Sequence, residues 1–384
     1  MEQIKSESRL TFMEATSIII GHGVGSGILA VPYLALRNRW TDILWILALS
    51  YAVNLLMHLM IAELSLHNGG QQFVKCFEAE LFTGVMKKIF TSFAFAMLGL
   101  SVILNVSGFI AGSSAVFSAW FSLPERWGMV LYYVLAAGVV FIGMKAVGIC
   151  EKVSVSLMSV VVLVLLFASL RSPMPLSSRF ISGGNTLALY GMVSFSLSAV
   201  MSVPQVVKGL DGNAKSVRGA IMLGTGVNAL LLLIITFTTL LGAGSELTQR
   251  GALVDLASHL GGWVSIVGYV FTLLALSTSL WANTLNLRDI VHEQTGLGLR
   301  KSWLVSSLPS LVIALLGIQS FVGFTRLSGV IQILTGFAII IAYHKSRKEA
   351  TGSPICGVLG ALPFQVIVLL GSVVATVGSL VHVA

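Results

Sequence analysis

The sequence predicts an all-α polytopic membrane protein with eleven transmembrane helices, and three observations carry that prediction. The 384-residue chain is 56% hydrophobic and only 10% charged, with a mean hydropathy of +0.93. A soluble domain carries roughly 25% charged residues, so this chain lacks the polar side chains to cover a globule in water. Eleven apolar segments are long enough to cross a bilayer. The basic residues are also divided unevenly between alternate loops, as the positive-inside rule requires.

The first apolar segment, 12–36, follows a polar, mixed-charge start (MEQIKSESRL) and has no small-residue cleavage site, so it reads as a span and not as a signal peptide. Within it, GHGVGSGILAVP (Gly21 to Pro32) breaks the helical pattern. Glycine costs about 1 kcal/mol relative to alanine in a helix interior. Segments 41–66 and 88–120 follow, separated by the hydrophilic stretch NGGQQFVKCFEAELFTGVMKK, then 127–144 and 153–170. The sixth, 186–207, is interrupted by SFSLSAVMSVPQVV (Ser194 to Val207). Segments 218–242, 262–287, 302–319, 322–343 and 356–382 complete the set. Between the seventh and eighth, ALVDLASHL predicts a short helix over the outer face. No linker, low-complexity run or soluble appendage divides the chain, so residues 1–384 read as a single transmembrane domain.

A net charge of +8 and a pI near 9.5 are compatible with nucleic-acid binding only if the charge is clustered on one surface. Here sixteen of the 23 Lys and Arg fall in segments on one side of the spans and six on the other, with Arg326 inside a span. That bias places the N-terminus in the cytoplasm and the C-terminus outside, in a bacterial inner membrane or a plasma membrane. The basic excess belongs to the lipid surface, and no nucleic-acid partner is implied. Cys76, Cys150 and Cys356 lie near the ends assigned to the cytoplasm and show no metal-ligand spacing.

Two interrupted spans five apart suggest two repeats of opposite topology, about 12–170 and about 186–343, with an extra helix at about 356–382. Unwinding a helix frees N–H groups, which suit a carboxylate, and carbonyls, which suit a small cation. The first span therefore reads as half of a site for a zwitterion and an ion. The alternative is a helix-packing face, since Gly21 and Gly25, and Gly23 and Gly27, are spaced four apart. In the eighth span, Ala275, Thr278 and Ser279 fall on one helix face and offer a carbonyl and two hydroxyls to a hard cation. Alternatively those hydroxyls bond back to their own helix. A dinucleotide loop is excluded: it needs a preceding strand, and position 26 is Ser. With no nucleophile–base set, paired carboxylates or metal cluster at a common depth, an enzyme is not expected.

These stretches carry a resemblance to the amino acid–polyamine–organocation superfamily, and within it to the amino acid/auxin permease and hydroxy/aromatic amino acid permease branches. It rests on GVGSGILAVPY, AELSLHNGG, VPQVVKGLDGNAKSVRGAIMLGTGVN, LSTSLWANTLNLRDIV and RLSGVIQILTG, in that order along nearly the whole chain. The resemblance implies the LeuT-type fold of five plus five inverted helices. It implies a sodium position at Gly21, Val24, Ala275, Thr278 and Ser279. It also implies a substrate site in which the N–H groups around Ser26 and Gly27 meet the carboxylate, with His22 and Gly23 beside it. Phe195 would cover the substrate, and Ser198 and Met201 would border its side chain. Ile28 stands where some relatives hold an Asn for a second sodium. The fifth span lacks the Lys by which some proton-coupled relatives replace sodium, whereas the hydroxy/aromatic branch is generally proton-coupled.

Ionisable and polar groups inside spans are candidates for function. His22 either carries a coupled proton or hydrogen-bonds a freed carbonyl. Arg326 either gates the outer path or snorkels to the interface. Glu63 anchors loops or pairs with a base, and Asn105 on the third span is a substrate candidate. A pocket with so few fixed charges suits a neutral amino acid. The expected function is secondary active symport of a neutral amino acid with one sodium ion, by alternating access and with no other cofactor. The alternatives are a proton-coupled aromatic or hydroxy amino acid permease and an amino acid sensor on the same fold.

Overall fold

A computed structural model of the chain describes residues 9–175, 185–244, 247, 252–318, 321–350 and 352–381. The described elements are all helical. In order they are α1 (Phe12–Gly23), α2 (Val31–Leu36), α3 (Trp40–His67), α4 (Phe73–Glu80), α5 (Lys87–Phe121), α6 (Glu125–Ile142), α7 (Met144–Arg171) and α8 (Thr186–Leu197). There follow α9 (Val203–Gly209), α10 (Ala214–Ala243), α11 (Ala252–Leu260), α12 (Trp263–Thr295), α13 (Leu299–Leu315), α14 (Phe321–Glu349) and α15 (Leu362–Leu380). Among the described residues, eight helical segments are long and apolar enough to cross a membrane, with α8 and α9 counted as one.

Both interruptions are present, and they share one local design. α1 starts at Thr11, whose hydroxyl accepts the Glu14 N–H while the Glu14 carboxylate accepts the Thr11 N–H, so two donors that the helix end leaves free are satisfied reciprocally. α1 stops at Gly23. A 3-10 turn at Ser26–Leu29 follows, and α2 resumes with Pro32 in its first turn, where proline's missing N–H has no partner to lose. α8 stops at Leu197, a 3-10 turn occupies Val200–Ser202, and α9 resumes with Pro204 in its first turn.

The helix bounds depart from the sequence reading where charge was taken for a loop. α7 starts at Met144, directly after Gly143 (φ 134°), and not at 153. Lys152 is exposed on it, while Glu151 turns inward and is fully buried. α12 runs on to Thr295, past 287, and Arg288 and Asp289, which pair at 2.8 Å, are buried within it. The stretch after the second span contains α4, and ALVDLASHL forms α11.

α1 packs on α7, α10 and α12; α5 packs on α6, α12, α13 and α14; α8 packs on α3 and α15. Close approach is set by small residues. A methyl at Gly378 would overlap the Leu187 carbonyl, so α15 and α8 touch backbone to backbone. One end of the bundle is tied by ion pairs and buried hydrogen bonds. Lys208 of α9 reaches Asp289 of α12 at 2.9 Å. Glu63 of α3 accepts from Tyr343 (2.9 Å), Ser353 (2.7 Å) and the N–H groups of Ile355 (3.0 Å) and Cys356 (2.8 Å), with Arg347 at 3.3 Å. Glu63 thus anchors the segment between α14 and α15.

Candidate functional site

The two breaks meet across a cavity of about 190 Å³. This volume holds on the order of ten water molecules, or a small organic solute of similar bulk. It is walled by the first break (His22, Gly23, Gly25, Gly27), the sixth (Phe195, Ser198, Met201), α5 (Asn105, Phe109) and α12 (Ser279, Asn283), and it continues along α3 and α14 to α15.

The glycines of the first break each face a side chain that a methyl group would displace. Gly21 lies against Glu151 and Thr278, Gly23 against Asn228, Gly25 against Ser279, and Gly27 against Ser196 and the Phe195 ring. Here glycine serves close approach as well as unwinding. Gly25, Ser26 and Gly27 open the 3-10 turn, so their N–H groups have no acceptor within it.

His22 joins the two breaks. Its Nδ1 is 2.7 Å from the Ser202 hydroxyl in the sixth-span turn, and its Nε2 is 3.4 Å from the Asn283 amide nitrogen. Asn283 also donates to the Ser279 carbonyl at 2.8 Å and lies 3.5 Å from Asn105. With Nε2 accepting from Asn283, the ring carries its proton on Nδ1 and donates to Ser202.

Backbone groups freed at the sixth break find partners on neighbouring helices. Asn228 donates to the Ser196 carbonyl (3.1 Å), Asn54 to the Ser194 carbonyl (3.3 Å), and the Ala199 N–H donates to His58 Nε2 (2.9 Å). Accepting at Nε2, His58 is a neutral imidazole whose Nδ1–H points to Thr225 at 3.2 Å. These contacts meet the requirement that backbone in an apolar medium be satisfied internally.

Seven of the substrate-site residues expected from sequence line this cavity: His22, Gly23, Gly27, Asn105, Phe195, Ser198 and Met201. The side chains of Ser26 and Arg326 lie outside the described residues. Of the expected sodium positions, Ser279 lies at the cavity, while Gly21, Val24, Ala275 and Thr278 are packed behind it. The Thr278 hydroxyl donates to the Ala275 carbonyl of its own helix at 3.0 Å. The sequence reading missed Asn283 and Phe109 at the cavity and Ser202, Asn228 and Glu151 behind it. Polar residues within apolar spans were the available signal for Asn228 and Asn283.

An all-helical chain with eight described segments long and apolar enough to cross a membrane, and with a cavity between two broken helices, has the build of a permease. The chain belongs to the tryptophan/tyrosine permease family, whose sequence profile matches residues 8–379. Solved structures place its fold in the LeuT type. Mhp1, a nucleobase-cation-symport-1 family transporter with bromovinylhydantoin bound, is similar at a TM-score of 0.68 and 13% identity, over 98% of this chain and 91% of that one. MhsT in complex with L-phenylalanine is similar at 0.63 and 15%, over 97% and 99%. A manganese transporter from Eremococcus coleocola is similar at 0.61 and 12%, over 96% and 85%. No curated protein sequence matches the chain.

Proposed function

We propose that the protein is a secondary active transporter of aromatic amino acids, tryptophan or tyrosine, coupled to a proton. The family match over residues 8–379 carries this reading, and the cavity fits it. Phe109, Phe195, Met57 and Met201 give it apolar and aromatic walls, on which an indole or phenol ring packs edge-to-face or against sulfur. The free N–H groups of Gly25 to Gly27 are set to take the carboxylate. His22, Asn105 and Asn283 line the cavity and offer the polar contacts that a phenol hydroxyl or indole N–H requires.

The sequence expectation of a broadly neutral substrate narrows to aromatic ones, and sodium gives way to a proton. The proton is what resemblance to the hydroxy/aromatic branch implies. A carboxylate, Glu151, occupies the ground beside Gly21 and Thr278 that the sequence reading gave to sodium. In this reading Gly21, Val24, Ala275, Thr278 and Ser279 pack the first span on α12 and hold no metal.

The chain crosses the membrane eleven times, with α1–α2 and α8–α9 each forming one broken span. The N-terminus is cytoplasmic and the C-terminus outside. Residues from about 12 to 170 and from about 186 to 343 form the two repeats of one domain, and alternating access rocks the broken spans against the rest. Counterflow into proteoliposomes tests the substrate. Labelled tryptophan entering vesicles loaded with unlabelled tryptophan or tyrosine is expected, with alanine and serine as poor exchangers. Equal exchange of alanine would refute the aromatic assignment.

A further inference from the structure

We propose that Glu151 binds the coupled cation, and that neutralising its carboxylate allows the first span to close on α7 and α12. This rests on the symport reading above and names the residue that reading lacks.

The buried carboxylates elsewhere in the described structure have partners. Glu63 has its hydrogen-bond donors and Arg347, Asp289 has Arg288 and Lys208, and Glu14 has Lys145 at 2.6 Å. Glu151 is 0% exposed, and neither carboxylate oxygen has a hydrogen-bond partner. An unpaired carboxylate in a dry site costs several kcal/mol when ionised. The closed packing seen here is therefore that of a neutralised group.

The titratable groups on packed elements do not supply the missing charge. On α1, Glu14 is held by Lys145 and His22 by Ser202. On α12, Arg288 and Asp289 pair with each other about 15 Å along the helix from Thr278. On α10, Arg218 and Lys215 stand in the first turns, about 15 and 20 Å along the helix from Asn228. α6 offers the phenols of Tyr132 and Tyr133.

Position turns this charge into a coupling device. Glu151 does not line the cavity. It stands behind the first break, against Gly21, the last turn of α1 and one residue before His22 at the cavity wall. With a proton, an O–H bond forms at the carboxylate as a hydronium ion on the open side gives up its proton and becomes water, and the neutral group is packed between α1, α7 and α12. When α1 moves away on the other side, the same bond breaks, a water there takes the proton as hydronium, and the carboxylate is restored. An empty, ionised Glu151 favours the hydrated, open arrangement. A ligand bound at the first break and a cation bound at Glu151 thus favour the same closed position of α1.

The test uses the full protein in proteoliposomes, with tryptophan as substrate and two separate arms, a pH gradient and a sodium gradient. With one proton per substrate, a one-unit pH gradient supports about tenfold accumulation. In Glu151→Gln, accumulation relative to exchange is expected to fall from about tenfold to about one. Accumulation by Glu151→Gln equal to wild type, under whichever gradient drives it, overturns the inference while leaving the transporter reading intact. If a sodium gradient alone drives wild type and Glu151→Gln abolishes that, the site stands and the proton fails. If neither gradient drives wild type, no cation is coupled and the inference falls. Should Glu151→Gln not fold, Glu151→Asp keeps the carboxylate on a shorter arm. It should retain driven uptake with a shifted pH dependence, and an unshifted profile overturns the assignment.

Discussion

Gly23→Ala is expected to cut tryptophan uptake roughly a hundredfold or more, the scale that a displacement of about 1 Å at a binding site produces. The added methyl would overlap the amide of Asn228, which donates to the Ser196 carbonyl at 3.1 Å. Either Asn228 leaves that carbonyl or the first span shifts out of the cavity wall. Both outcomes disturb the junction of the two breaks, because His22 ties the neighbouring residue to Ser202 in the sixth-span turn. Gly138→Ala is the control. A methyl there meets nothing within 4 Å, and alanine is the better helix former by about 1 kcal/mol, so uptake should stay at wild-type level. Uptake by Gly23→Ala within about threefold of wild type, well short of that misplacement scale, would show that the contact between the breaks is not needed.

Glu63→Ala is expected to destabilise the protein by roughly 3–5 kcal/mol, the range for removing one partner of a buried ion pair. The loss leaves the Ile355 and Cys356 N–H groups without their acceptor and Arg347 without its carboxylate. Each orphaned buried donor costs about 1–3 kcal/mol. Thermal unfolding of the purified protein in detergent reads this as a clear drop in midpoint. Lys75→Ala breaks only a partly exposed pair with Glu78 at 2.9 Å and should cost at most about 1 kcal/mol. Equal melting of the two variants would contradict the anchoring role of Glu63.

Both helix breaks were legible in sequence because their residues are expensive in a continuous membrane helix. GHGVGSG places glycines where a continuous helix would take alanine, and each break is followed by a proline that suits a fresh first turn. The near wall of the cavity was legible for the same reason. Its far partners were not. Asn228, His58 and Asn54 reach the sixth break from other helices, and no spacing within one segment announces such a partner.

Glu151 was hidden by a local rule. Beside Lys152 it marks a hydropathy boundary, so the pair reads as the end of a span. Only packing against Gly21, some 130 positions earlier, shows that the helix continues and that one charge faces in and the other out. The Ala275, Thr278, Ser279 pattern is the converse case. The same spacing serves an ion or a hydroxyl bonded to its own helix, and in the structure Thr278 takes the carbonyl of Ala275.

The central claim is proton-driven transport of an aromatic amino acid through the cavity between the breaks. Uptake of labelled tryptophan into sodium-free proteoliposomes, with the interior more alkaline than the medium, tests it most directly. The account predicts accumulation above the equilibrium level that collapses when a protonophore dissipates the gradient. Accumulation that ignores the pH gradient and appears only when a sodium gradient is imposed would contradict it.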